Sequence, residues 1–136
     1  MHGRIAEPPL FGAIHFRKLP PQGITLILAT QVIREYLVVA TRPEKNNGLA
    51  LSLEDAMANI REFRRYAALI PETIEACELL TRWARQFQIT GKRLHDLQLL
   101  ATLQQAGVPT LLTSNPDDFP AATGVRITTL AELKVG

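Results

Sequence analysis

Apolar positions along the chain occur in two patterns: short unbroken runs, and longer stretches in which they return every three or four residues. Residues 1–23 set Pro8, Pro9, Pro20 and Pro21 around the apolar segment from Leu10 to Phe16 and close on Gln22-Gly23. Proline fixes φ and removes a backbone donor, so this stretch reads as a weakly structured lead-in. Ile24-Thr25-Leu26-Ile27-Leu28 is continuous, apolar and partly β-branched, which fits a buried strand of a parallel sheet better than an alternating surface strand. Thr30 offers an N-cap to a helix with Val32, Ile33, Tyr36, Leu37 and Ala40 on its apolar face, ended by Thr41-Arg42-Pro43.

Beyond the polar loop from Glu44 to Gly48, Ser52-Leu53-Glu54-Asp55 has the signature of a capped helix start with acids in its first turn. That helix is expected to run to about Ala68, where Leu69-Ile70-Pro71 breaks it. Glu72 to about Phe87 places Ile74, Cys77, Leu79 or Leu80, Trp83, Ala84 and Phe87 at helical spacing. A turn over residues 89–93 leads to a helix from Leu94 to Ala106, with Leu94, Leu97, Leu100, Ala101 and Leu103 apolar and Gly107 placed as a C′ glycine. Val108 to Thr113 reads as a second buried strand, Ser114 to Pro120 as loop, Val125 to Thr129 as a third, alternating strand, and Leu130 to Leu133 as a closing turn. Strands joined by long helical crossovers imply a mainly parallel sheet with helices on its faces. The 136 residues form one expected domain, 1–136, with its core in 24–130.

Composition narrows the chemistry. Cys77 is the single cysteine, which excludes an internal disulfide and a cysteine-built zinc site; its apolar helical position reads as core filling. No run of eighteen apolar residues spans a bilayer, and Pro8-Pro9 falls where a signal peptide needs its apolar stretch, so the expected compartment is the cytoplasm. The net charge of +2 permits phosphate contacts without demanding them. Arg61, Arg64, Arg65, Arg82, Arg85, Lys92 and Arg93 gather in the middle third, as a solvated helical face or as a surface for nucleic acid or an acidic partner.

In open α/β sheets, ligands collect at the carboxyl ends of the strands. That rule selects Glu35 on the helix after the first strand, Asp96 in the first turns of the helix leading to the second, and Asp117 and Asp118 in the loop after it. Carboxylates about 4 Å apart repel by roughly 4 kcal/mol at an effective dielectric near 20, so such a cluster needs a cation, and oxygen ligands favour Mg²⁺ or Mn²⁺ over zinc. Each acid also has a plainer role: Asp118 in a turn or cap beside Pro116, Asp96 against the helix dipole, Glu35 as a solvated helix residue. His95 reads as a supporting or surface group, and Tyr36, Trp83 and Thr102 as packing.

Three strings carry a further resemblance. Val32 to Pro43 (VIREYLVVATRP), Thr90 to Thr102 (TGKRLHDLQLLAT) and Leu112 to Phe119 (LTSNPDDF) resemble the PIN domain, in the order and approximate spacing of VapC-like toxins, over roughly residues 20 to 130. The resemblance implies a three-layer αβα fold and a metal-dependent RNA endonuclease that hydrolyses phosphodiester bonds at an acidic Mg²⁺ or Mn²⁺ site. It makes Glu35, Asp96 and Asp118 the metal-binding and catalytic acids, with Thr113 and Asn115 as polar support in the T-x-N-x-x-D-F motif. Lys92 and Arg93 fall where they would hold RNA phosphate. Implied partners are an RNA substrate and an antitoxin protein whose tail covers the acidic cleft. The chain departs from the pattern at its start. The family opens on a strand ending in an Asp, whereas no aspartate precedes Asp55 here, so an N-terminally truncated form of the fold is expected. Losing that central strand would expose backbone edges and favour association. It also brings in an alternative function, a PIN-fold module that binds RNA or antitoxin with impaired catalysis. A homodimer through the helices of residues 52–87 is a further expectation.

Overall fold

The computed structural model describes residues 26–113, 115–121 and 123–133. Strand β1 (Leu26–Ala29) runs into helix α1 (Thr30–Thr41), and a loop with one 3₁₀ turn leads to α2 (Leu53–Tyr66), which passes without a break into β2 (Ala67–Ile70). Helices α3 (Ile74–Phe87) and α4 (Arg93–Gln105) follow, then β3 (Thr110–Leu112), a 3₁₀ turn at Pro116–Asp118, β4 (Arg126–Thr128) and the short α5 (Leu130–Leu133). The fold is mixed α/β with short parallel strands. β1 pairs in parallel with β2, Leu26 opposite Ala67 and Ala29 opposite Ile70; β3 pairs in parallel with β4, Thr110 opposite Arg126 and Leu112 opposite Thr128. Among the described residues these are two separate two-stranded pieces. The expected lead-in of residues 1–23, and Ile24-Thr25 of the first expected strand, lie outside the described residues.

The core forms where helical stripes meet these strands. On α4, Leu97, Leu99, Leu100, Ala101, Thr102 and Leu103 are all buried, so this helix is covered around most of its circumference, as a central helix must be. It packs against α3 and touches both β1 and β3. Helix α1 turns Val32, Tyr36 and Ala40 inward, and the Tyr36 ring meets Phe63 of α2 edge-on, with centroids 5.3 Å apart at 80°. The Tyr36 hydroxyl accepts a 2.7 Å hydrogen bond from Asn59 Nδ2.

Helix ends are set by specific groups. Ser52 Oγ accepts from the Asp55 amide at 3.0 Å and Thr73 Oγ1 from the Ala76 amide at 3.1 Å, each satisfying an N-terminal donor. Helix α1 closes against the strap that follows it, through Leu49 N to Val39 O and Leu51 N to Ala40 O. Gly48 lies on that strap so close to Arg42 that a Cβ there would overlap the Arg42 carbonyl oxygen and side chain. Gly107, with φ +73°, takes the left-handed position after α4 as its spacing predicts.

Four expectations are corrected. Thr30 does not cap α1: Ala29 holds the cap position with no side-chain bond, and Thr30 is already helical. Residues 67–70 are a strand, not the end of a helix and a break, because Ala67-Ala68-Leu69-Ile70 finds a parallel partner in β1. The strand expected at Val125 to Thr129 is therefore the fourth. Cys77 is exposed rather than core, and Ile74 is 76% exposed. The buried residues of α3 are Ala76, Leu79 and Trp83: Leu79 and Trp83 belong to the expected stripe, and Ala76 takes the inward place expected of Cys77. Tyr36, Trp83 and Thr102 are buried packing residues as expected. No helix among the described residues is long and apolar enough to cross a membrane.

Candidate metal centre

Helix α1 begins directly at the carboxyl end of β1, so its first turns project from that end of the strand. Glu35 sits one turn beyond Gln31, and the two side chains share a face at i, i+4 spacing. Gln31 Nε2 donates to Glu35 Oε2 at 3.0 Å. The same nitrogen donates to the backbone oxygen of His95 at 2.6 Å, across 64 residues of sequence. Gln31 is 1% exposed, and Glu35 is half-buried.

His95 immediately precedes Asp96, so this one amide sets the Glu35 carboxylate beside the first turn of α4. Asp96 is half-buried in that turn, where the unbonded amides of a helix N-terminus favour negative charge. No side chain caps α4, and Lys92 occupies the cap position with Arg93 as the first helical residue. Both are exposed. Two cations at the positive end of a helix dipole do not serve helix stability, but they do present positive charge next to the Glu35 and Asp96 segment.

The third acid stands on a different framework. Thr113 extends the β3 pairing by donating its amide to Thr128 O at 2.9 Å, and its buried hydroxyl accepts from the Asn115 amide at 3.0 Å. That bond turns the chain, Pro116–Asp118 completes a 3₁₀ turn closed by Asp118 N to Asn115 O at 3.1 Å, and the buried Phe119 anchors it. Asp118, Asp117 and Asn115 are exposed. Of the T-x-N-x-x-D-F motif, Thr113 and Phe119 therefore build the turn and Asp118 is displayed by it.

Gln31 thus ties Glu35 to the backbone of α4 one residue before Asp96, and Asp118 stands on the separate turn after β3. Among the described residues no three His, Cys, Asp or Glu side chains form a group that could hold a metal ion. The Glu35 and Asp96 pair does fit a hard cation in its donor chemistry. Glu35 accepts one amide proton and forms no ion pair among the described residues, and the carbonyl Oε1 of Gln31 beside it is buried without a hydrogen-bond partner. Gln31 was not legible as a site residue, because only the fold brings α4 over it. No family model matches the chain, and no curated protein matches it.

Proposed function

We propose that the chain is a PIN-type, metal-dependent RNA endonuclease in which Glu35 and Asp96 hold Mg²⁺ or Mn²⁺, with Asp118 completing the site. The observation that carries this reading is the Gln31 bridge. It ties Glu35 on α1 to the backbone of His95 on α4, one residue before Asp96 and 64 residues away in sequence, and Glu35 forms no ion pair among the described residues. Topology supports the third acid. A four-residue connection, residues 106–109, folds α4 back along β3, so the start of α4 and the turn bearing Asp118 lie toward the same end of that strand, the end at which α/β sheets gather ligands.

A divalent cation bound there would supply charge stabilisation at the scissile phosphate and a nucleophile at neutral pH. The chain's own residues have separate tasks. Glu35 and Asp96 supply hard oxygen donors, Lys92 and Arg93 hold the RNA backbone without reading sequence, and the Thr113 turn fixes where Asp118 stands. In this proposal a three-layer αβα arrangement accommodates the two strand pairs, and an antitoxin segment covers the acidic cleft.

The exposure of Asp118, together with the first family acid that the sequence lacks, favours a second reading, a module that binds RNA or antitoxin with impaired turnover. Calorimetric titration of Mg²⁺ and Mn²⁺ into the purified chain and its Asp96→Asn variant separates these, with cleavage of a structured RNA followed in parallel. Saturable binding that falls at least about tenfold in the variant, together with cleavage abolished by chelator, is the result expected of the nuclease. Saturable binding without cleavage leaves the binding module, and absence of any cation binding overturns the metal site.

A further inference from the structure

We propose that Gln31 is a positioning residue of the acidic pair, holding one oxygen of Glu35 against the first turn of α4 so that the other is presented to a ligand. The proposal rests on the reading of Glu35 and Asp96 as a cation site. Gln31 has no place in the motifs that led to that reading. A buried glutamine is a poor choice for packing alone, since a leucine would fill a similar volume without leaving a lone carbonyl oxygen inside the fold.

The orientation of the amide is fixed by its surroundings. Its nitrogen lies 3.0 Å from Glu35 Oε2 and 2.6 Å from the backbone oxygen of His95. Both neighbours are acceptors, and exchanging nitrogen for oxygen would set oxygen against oxygen at each contact. The two N–H groups of one amide therefore join α1 to α4 and engage Oε2 of Glu35. No hydrogen bond among the described residues engages Glu35 Oε1. A carboxylate held by one oxygen has its second oxygen aimed, and an aimed ligand needs less ordering when it binds.

The test uses Mn²⁺ and the full chain. Affinity is measured from the electron paramagnetic resonance of free Mn²⁺ for the wild type, Gln31→Met, Glu35→Gln and the double variant, at concentrations that saturate the weaker sites. Circular dichroism checks the fold of each. Methionine keeps length and volume while removing both donors. The expected result is a loss of about tenfold or more in Mn²⁺ affinity for Gln31→Met with an unchanged fold. The same substitution should have no further effect once Glu35 is glutamine, because a residue acting through Glu35 is non-additive with it.

A second readout covers the case in which Gln31→Met does not fold. In the wild type, the side-chain amide protons of Gln31, identified by selective labelling, should broaden at substoichiometric Mn²⁺ ahead of those of the other glutamines. A purely structural glutamine away from the ion would not show this. Unchanged affinity in Gln31→Met, additive losses in the double variant, or no selective broadening while Mn²⁺ binds saturably would each overturn the role of Gln31 and leave the cation site standing. Failure of the wild type to bind Mn²⁺ would overturn both.

Discussion

Tyr36 illustrates how burial acts on a single polar group in this core. Its ring is packed against Phe63, its hydroxyl accepts from Asn59, and burial pushes the phenol above its ordinary value of 10.0, with the Asn59 bond pulling weakly the other way. The folded state thus holds the proton more tightly than the unfolded one. The stability this contributes is fully present below pH 10.0 and is lost as pH rises through the higher folded-state value. Denaturant unfolding at a series of alkaline pH values should show a downward slope in the wild type that is shallower in Tyr36→Phe. Equal slopes would mean that the phenol ionises freely in the fold. Glu35, Asp96 and Asp118 were singled out by their places near strand ends together with the PIN resemblance of the strings that hold them. Gln31 could not, since a glutamine at the start of a helix reads as solvated until α4 is laid over it.

Elements were legible to the degree that their signals are local. The Thr73 cap of α3 is local too, a hydroxyl three residues before the amide it accepts from, although the helix was expected to start at Glu72, with Thr73 inside it. Thr73→Ala should lower stability by about 1 kcal/mol with little change in denaturant sensitivity, measured by chemical unfolding; a loss within error would mean that packing of Ala76, Leu79 and Trp83 alone fixes the helix start. The four longer helices, the Ser52 cap and the Gly107 terminus were all readable in this way. Strand β2 was not. Ala67-Ala68-Leu69-Ile70 follows a helix directly and contains three good helix formers, and nothing within the segment announces a partner some forty residues earlier in β1. Cys77 was misplaced for a related reason. The apolar positions of α3 admit two overlapping stripes, and the choice between them is made by contact with α4, not by spacing.

For the whole molecule, the two strand pairs pose a question of cooperativity. Each pairs only three or four residues per strand, and isolated two-stranded ribbons of that size are marginal in water. What the two pieces share among the described residues is α4, which touches β1 and β3 and carries the largest continuous set of buried side chains. If α4 is their common support, β1–β2 and β3–β4 open together when that helix leaves. Leu100, fully buried on α4, provides the lever. Leu100→Ala should cost about 2–5 kcal/mol, and amide hydrogen exchange should show protection falling by the same amount in both strand pairs. Loss confined to β3–β4, the pair that follows α4 in the chain, would instead divide the protein into two folding units. The proposed cation site would then sit at their boundary, where opening of one unit separates Glu35 from the α4 backbone that Gln31 ties it to. Under the shared-support model the site is lost only on global unfolding, so cation binding should raise the protection of both strand pairs equally, as a ligand that binds only the folded state requires.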